Sequence, residues 1–211
     1  QLDLFKECNA PCMVFAEVSG SIQGEVKIPL SKRPILNMDE WKTFYNKISE
    51  ISKYMEDSGV PLAYHHHMGT VVQSQEDTER LIDNTSDTVK LLIDTGHMMF
   101  AGGDFVKIAK DYSSRLHHVH CKDIRKDVLD MSLKNDLSFI DAFFAGAFTV
   151  PGDGCINYEN FLKILKNFNY KGWLVVEAEQ DPKKANPFEY GKIGFNHLKK
   201  IALDCGFEIT R

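Results

Sequence analysis

The sequence predicts an α/β fold of the (β/α)8 TIM-barrel type, and three observations lead to this prediction. Short runs rich in valine, isoleucine and leucine alternate with longer amphipathic segments along the 211 residues. Strands that are separated by helical crossovers pair in parallel. No GxGxxG or Walker motif follows a strand, which disfavours an open nucleotide-binding sheet. Polar residues gather instead at the carboxyl-terminal ends of four successive strands, where parallel barrels place their functional groups.

Five strands are predicted from short apolar runs that end in polar or turn residues. They are Cys12–Val18, Pro61–His67, Lys90–Asp94, Leu116–Lys122 and Trp173–Glu179. We expect one domain over residues 1–211, because barrels run to roughly 250 residues as a single unit and the chain shows no linker or low-complexity tract.

Helices are predicted where apolar residues recur every three or four positions. The clearest stripe consists of Trp41, Phe44, Ile48, Ile51 and Met55. Asn37 is expected to cap the start of this helix, and Gly59 to follow its end in a left-handed conformation. Ser74 and Asp77 have capping-box spacing and predict a helix near Gln75–Asn84.

The remaining helices are predicted in the same way. Asp104 can cap a helix that contains the apolar residues after it. Another helix is expected after the loop PGDGCIN, and the last one near Tyr190–Asp204.

Charge and composition narrow the class of protein. The net charge is −5, and the basic residues form no long run, so we expect no nucleic-acid partner. No apolar stretch approaches the ~20 residues that would span a bilayer, and the first residues have no leader pattern. The five cysteines form no CxxC pair, which is typical of reduced thiols in a cytoplasmic protein.

Acidic and imidazole side chains cluster at four strand ends. They are His65, His66 and His67; Asp94 and His97; His118, His120, Lys122 and Asp123; and Glu177 and Glu179. Alternate residues of a strand share a face, so one side chain from each strand could converge on one point. A single histidine in such a place is more often a hydrogen-bonded structural residue. The repetition over four strands favours a metal site, and mixed nitrogen and oxygen ligands suit Mn²⁺, Co²⁺, Fe²⁺ or Zn²⁺.

Five segments carry a resemblance to a known family. AYHHHMGTVVQ, LLIDTGHMMFAGGD, LHHVHCKD, VPGDG and GWLVVEAEQDP resemble the inosose dehydratase family of the xylose isomerase-like (AP endonuclease family 2) barrel superfamily. The resemblance runs from near residue 10 to the end of the chain. It implies that the chain starts at the fourth of eight strand–helix units, with three units, roughly ninety residues, outside this sequence.

The resemblance also implies a set of metal ligands. It places them at His65, Asp94, His120 and Glu177, and His65 stands where isomerase and epimerase relatives have a glutamate. Mn²⁺ or Co²⁺ is the expected ion, with Zn²⁺ or Fe²⁺ as alternatives.

The implied activity is a hydro-lyase reaction, the removal of water from 2-keto-myo-inositol (scyllo-inosose) in inositol breakdown. A divalent ion would act as a Lewis acid on this cyclic polyol ketone. His67 and His97 are the acid/base candidates, and Lys122 is the group that would hold a hydroxyl or the enediolate. A homo-oligomer is compatible with this interpretation.

Other functions stay open at this point. A sugar isomerase or epimerase is the main alternative, although epimerases use two opposed carboxylates and the chain keeps only Glu177 of that pair. A metal-dependent DNA-repair endonuclease needs more ligands and a basic groove, and a non-catalytic sugar-binding protein is the last alternative. The segment Ser19–Leu36, with Lys32 and Arg33, is either a lid over the site or a solvated loop.

Overall fold

A computed structural model of the chain, which describes residues 1–209, contains the parallel sheet that the sequence predicts. The strands are β1 (Met13–Phe15), β2 (Leu62–His65), β3 (Val89–Asp94), β4 (Leu116–Cys121), β5 (Asp123–Ile124), β6 (Phe148–Thr149) and β7 (Trp173–Val176). Strands β1, β2, β3, β4 and β7 pair in that order, all in parallel, and β5 and β6 form a separate antiparallel pair. Four of the five predicted strands end earlier than expected, and in three of them the polar last residues lie at the rim instead of continuing the sheet.

Helices connect the strands. They are α1 (Leu2–Glu7), α2 (Met38–Asp57), α3 (Gln75–Asp83), α4 (Thr95–Phe100), α5 (Phe105–Asp111), α6 (Lys126–Lys134), α7 (Phe139–Ala145), α8 (Tyr158–Asn167) and α9 (Pro187–Asp204), with a 3-10 turn at Leu30–Lys32. The predicted caps are confirmed: Asn37, Ser74 and Asp104 each accept backbone N–H groups at a helix start. Gly59 follows α2 with φ +86°. Within residues 1–209 no helix is both long enough and apolar enough to span a bilayer.

The sheet is curved, so that inward side chains of different strands meet. Strands β2 and β4 lie on either side of β3, about 10 Å apart at the usual spacing. The rings of His65 on β2 and His120 on β4 nevertheless have centroids only 5.0 Å apart. This curvature is that of a partial barrel and confirms the predicted fold class. Among the described residues β1 and β7 are the two edges of the sheet.

The main apolar core lies between the outer face of the sheet and the helices. Trp41 and Ile48 of α2 and Phe161 of α8 are buried in it together with sheet residues. Burying side chains of this size stabilises the fold by roughly 1.5–3 kcal/mol each. Cys121 is fully buried in the same core, as expected from its alternation with His120.

A second, smaller core forms the wall of the site at the carboxyl-terminal rim. It consists of Leu30, Met68, Phe100, Ile124, Leu129, Phe139, Ala142, Ala147 and Phe148. Most of it comes from the stretch from β5 to β6, whose elements the sequence analysis did not predict. Leu30 joins it from the segment Ser19–Leu36, and its N–H donates to the carbonyl of Leu137 at 3.2 Å. That segment is therefore packed against the rim.

Candidate metal centre

Asp94 anchors the site because it belongs to two elements at once. It is the last residue of β3 and also the N-cap of α4. Its Oδ1 accepts the backbone N–H of His97 at 2.8 Å, which satisfies one free donor of the helix start. The other oxygen, Oδ2, is left to face the concave side of the sheet.

Two donor atoms lie next to Asp94 Oδ2, in a group of three within 4.8 Å of one another, and Glu177 joins this group through His120. His65 Nε2 and His120 Nδ1 each lie 3.5 Å from it, and His120 Nδ1 lies 2.9 Å from Glu177 Oε2. The register explains the convergence, since Asp94 and His120 are paired across β3 and β4, and the N–H of Glu177 donates to the carbonyl of Cys121. We call His65, Asp94, His120 and Glu177 the first donor group.

The first donor group fits a divalent cation. All four atoms are buried, and none forms a hydrogen bond to any residue in 1–209. This holds even for the pairs of these atoms that lie within 3.5 Å of each other, because their geometry does not suit a hydrogen bond. The ammonium of Lys122 lies within 3.2 Å of the two carboxylate oxygens. Buried polar atoms without hydrogen bonds are nevertheless costly unless something else satisfies them. Ligands bound at ~2.0–2.2 Å around one tetrahedral ion stand about 3.3–3.6 Å apart, close to two of the three separations found here. Two imidazoles and two carboxylates match that chemistry.

A second cluster lies beside the first. His67, His97 and Glu179 bring their donor atoms within 4.8 Å of one another, and we call them the second donor group. The ammonium of Lys122 donates to His97 Nε2 at 2.9 Å and to Glu179 Oε2 at 2.8 Å. It also lies 3.2 Å from Asp94 Oδ2, so it links the two groups.

His67 is held with one ring nitrogen free. Its Nδ1 lies 2.8 Å from the carbonyl oxygen of Met68, which can only accept, so Nδ1 carries the proton. The other ring nitrogen, Nε2, faces Glu179 Oε1, 3.6 Å away. The ring of Phe139 packs against that of His67 with centroids 5.3 Å apart and closes one side of the site.

The charges in the site are tuned by burial and by each other. Burial opposes the charge of Lys122, but Asp94 and two glutamates outweigh it and raise its pKa. Burial also raises the pKa of Asp94, but Lys122 and the surrounding histidines together outweigh burial and hold this pKa well below its usual range. Burial and then Lys122 lower the pKa of His97, which is neutral. Burial lowers the pKa of His120, whereas Asp94 and Glu177 raise it to about 9, so this point of the site favours positive charge.

Two buried residues support these groups from behind. His66 Nε2 accepts the N–H of Asp94 at 3.2 Å, and burial lowers the pKa of His66 to about 3, so the ring stays a neutral acceptor. The hydroxyl of Thr95 donates to the carbonyl of Lys122 at 2.8 Å and contacts the hydroxyl of Tyr158 at 2.9 Å. Both contacts fix backbone next to a donor residue.

Asp123, the last residue of the HCKD segment, has a structural position. Its carboxylate accepts backbone N–H groups from Ile124, Gly152 and Ile156. A Cβ on Gly154 would lie 2.2 Å from its Oδ1, so only glycine fits there. The VPGDG loop is thus wrapped around this carboxylate.

The structure places the residues singled out from the sequence at one rim. Those predicted as ligands or catalytic groups are His65, His67, Asp94, His97, His120, Lys122 and Glu177, and they fall into the two neighbouring clusters. His118 belongs to neither cluster: its ring centroid lies 5.3 Å from that of His120, and its Nδ1 lies 3.7 Å from Cys12 Sγ. Glu179 had no assigned role, although its spacing of two from Glu177 was a usable signal. The wall residues Phe139 and Phe148 gave no signal, because only the fold brings them to the site.

A curved parallel sheet with imidazole and carboxylate groups at its carboxyl-terminal rim is the architecture of a barrel protein with a candidate metal centre. The chain belongs to the xylose isomerase-like TIM barrel family, whose profile matches residues 1–201.

Individual relatives agree with this assignment. The chain is 43% identical to the rhizopine catabolism protein MocC of Rhizobium meliloti, over 99% of this chain and 64% of that protein. It is 46% identical to an inosose dehydratase of Bacillus cereus (strain AH820), over 89% of this chain and 64% of that protein. The chain thus spans 64% of the length of these two relatives.

The fold is also found in solved structures. The crystal structure of the IOLI protein with a binding zinc atom superimposes with a TM-score of 0.63 at 18% identity, covering 97% of this chain and 66% of that one.

Proposed function

We propose that this chain carries the metal centre of a dehydratase that removes water from 2-keto-myo-inositol (scyllo-inosose). One observation carries the proposal: four buried donor atoms without hydrogen-bond partners lie beside a histidine whose Nε2 is free. A metal centre next to a histidine that can act as a base is what proton removal beside a ketone requires. The relative named inosose dehydratase, 46% identical, supports this choice of substrate.

The first donor group would hold the ion through His65, Asp94, His120 and Glu177. When bound there, a divalent metal supplies a Lewis acid for the substrate ketone and a neighbouring hydroxyl. We propose Mn²⁺ or Co²⁺, with Zn²⁺ or Fe²⁺ as alternatives, since nitrogen and oxygen ligands suit all four ions.

His67 moves the proton in this proposal. Its Nε2 accepts the proton from the carbon beside the ketone, and Glu179 Oε1, 3.6 Å away, stabilises the resulting imidazolium. The C–H electron pair forms the new double bond as the β C–O bond breaks. The same imidazolium then gives its proton to the departing hydroxyl, so that water leaves and His67 returns to its neutral form. The enol left behind tautomerises to the dione.

Lys122 supplies a fixed positive charge, and His97 holds it in place. Lys122 donates to His97 Nε2 and Glu179 Oε2, so its ammonium is held in place next to the ion site. There it favours the negative charge that develops on the substrate oxygens. Because His97 Nε2 already accepts from Lys122, we propose that His97 positions Lys122, and that His67 alone exchanges a proton with substrate.

Elimination is favoured over the alternative, a sugar isomerase or epimerase. Epimerisation uses one carboxylate on each face of the substrate. Here the first donor group has His65 in one of those places, and Glu179 is committed to Lys122. A cytoplasmic location completes the proposal, and it is supported by the five cysteines, all free.

The test is an assay of water loss from 2-keto-myo-inositol by the purified protein. Activity should disappear after treatment with a chelator and return when Mn²⁺ or Co²⁺ is added, with Zn²⁺ and Mg²⁺ compared in parallel. Turnover that survives complete removal of metal, or epimerisation without water loss, would contradict the proposal.

A further inference from the structure

The second donor group has the composition of a metal site of its own. His67 Nε2 and His97 Nε2 lie 3.6 Å and 3.3 Å from the two oxygens of Glu179, and the two rings have centroids 3.9 Å apart. Two imidazole nitrogens and a carboxylate are a common ligand set for divalent transition metals. Distances of this size are those of ligands around a single ion.

The ammonium of Lys122 already occupies that place. It lies 2.9 Å from His97 Nε2 and 2.8 Å from Glu179 Oε2, which are contacts that an ion in the second donor group would have to make. Lys122 is fully buried, and its stem passes so close to Gly96 that a Cβ there would lie 2.8 Å from Lys122 Cγ. The side chain is thus held where it is by packing as well as by charge.

The charges of the two groups balance with one ion and one lysine. Three carboxylates, Asp94, Glu177 and Glu179, each bring an oxygen within 3.2 Å of the Lys122 ammonium. Their three negative charges are neutralised by one ammonium together with one divalent ion. Buried charge is costly unless it is paired, so the site has no electrostatic need for a second divalent ion while Lys122 is present.

We propose that the ammonium of Lys122 occupies the place of a second divalent cation. The site therefore binds one metal ion, although it has two groups of possible ligands. The proposal rests on the proposed ion in the first donor group, and it makes Lys122 the residue that sets the number of metal ions. Without the ammonium, the second donor group is left with an unbalanced negative charge and unpaired nitrogen lone pairs. Both favour uptake of a second ion.

The experiment counts Mn²⁺ ions bound per chain by elemental analysis after equilibrium dialysis against Mn²⁺. The wild-type chain should bind one ion and Lys122→Met two, since methionine keeps the length of the buried stem without the charge. Lys122→Met/Glu179→Gln should return to the wild-type number, because it lacks the carboxylate of the second donor group. Electron paramagnetic resonance of the Lys122→Met chain should show coupling between two Mn²⁺ ions. Lys126→Met, at an exposed lysine on α6, is the matched control and should match wild type.

Each result separates the two proposals. A wild-type chain that binds no ion contradicts the first donor group as a metal site. Even in that case, the role of Lys122 would be supported if Lys122→Met gained one ion and the added Glu179→Gln substitution abolished the gain. Lys122→Met with the wild-type number, or a wild-type chain with two ions, would overturn that role. Lys122→Gln, which is also neutral, gives the same test if the methionine variant does not fold.

Discussion

Gly96 and Lys122 are in van der Waals contact in the centre of the site. A Cβ built on Gly96 would lie 2.8 Å from Lys122 Cγ and 3.0 Å from both Cβ and Cδ. Real Cβ atoms do not approach other side chains this closely, so any other residue at position 96 must displace the lysine stem. The glycine of the DTGH segment is therefore required by the lysine of the HCKD segment.

Gly96→Ala should lower kcat/KM for water loss by about a hundredfold, the effect expected of an ~1 Å displacement near the chemistry. The added methyl group displaces the Lys122 stem and with it the ammonium that contacts Glu179. The Mn²⁺ content and steady-state kinetics of the variant check this. Gly191→Ala on α9, where an added Cβ meets no atom within 4 Å, is the control and should behave as wild type. Equal kinetics in the two variants would show that the position of Lys122 does not matter.

Two substitutions of Asp94 should have different effects, because Oδ1 caps α4 whereas Oδ2 is a proposed metal ligand. Asp94→Asn keeps an oxygen that can accept the N–H of His97, whereas Asp94→Ala removes it. Both variants should lose bound metal. Only the alanine variant should also lose the cap, at about 1 kcal/mol.

Metal content and thermal unfolding of the chelated proteins distinguish the two effects. His120→Ala is the comparison, since it removes a ligand that is not a cap and should lose metal as well. Wild-type metal content in Asp94→Ala and His120→Ala would remove both residues from the proposed ligand set.

Much of the site could be predicted because its residues occupy strand ends. Period-two alternation put Cys121 outside and His120 inside, and both positions are confirmed. The helix starts at Asn37 and Ser74 were readable from short capping patterns, which depend only on local geometry. The set of metal ligands was inferred from the resemblance. The structure adds that the inferred donor atoms lie close together at one rim.

The rest depends on contacts between distant segments. Nothing local indicates that Phe139 on α7 packs against His67, or that Leu30 joins the same cluster. The predicted equivalence of His67 and His97 as acid/base candidates also could not be resolved from sequence. It is the bond from Lys122 to His97 Nε2 that distinguishes them.

Substitutions of His65 and His67 should distinguish metal binding from proton transfer. His67→Gln should keep metal but lose a factor of about 10²–10⁴ in kcat, the usual contribution of a general acid/base group. His65→Gln should weaken metal binding first, because His65 Nε2 faces Asp94 Oδ2 at 3.5 Å. Titration with Mn²⁺ and single-turnover kinetics measure the two effects. Normal turnover in the His67 variant would end its proposed role, and unchanged metal affinity in the other would end that of His65.

Arg33 ties the segment Ser19–Leu36 to the turn that follows His67. Its guanidinium lies 2.7 Å from Asp77 and donates to the carbonyls of Thr70 and Val71 at 3.3 Å and 3.2 Å. Removing the arginine would leave the Asp77 carboxylate, which is only 16% exposed, without its ion-pair partner. Arg33→Met should therefore lower the free energy of unfolding by about 2 kcal/mol, within the range for a lost charged hydrogen bond.

The same substitution tests whether the segment Ser19–Leu36 covers the site. If it does, Arg33→Met should raise KM several-fold, because the turn next to His67 and the segment above it lose their common anchor. The matched control is Lys32→Met, since Lys32 is the neighbouring cation and is exposed. Denaturant unfolding and steady-state kinetics of both variants give the comparison. If the Arg33 variant loses stability while KM stays at the wild-type value, the contacts of Arg33 only stabilise the fold. That result would contradict the proposal that the segment is a lid.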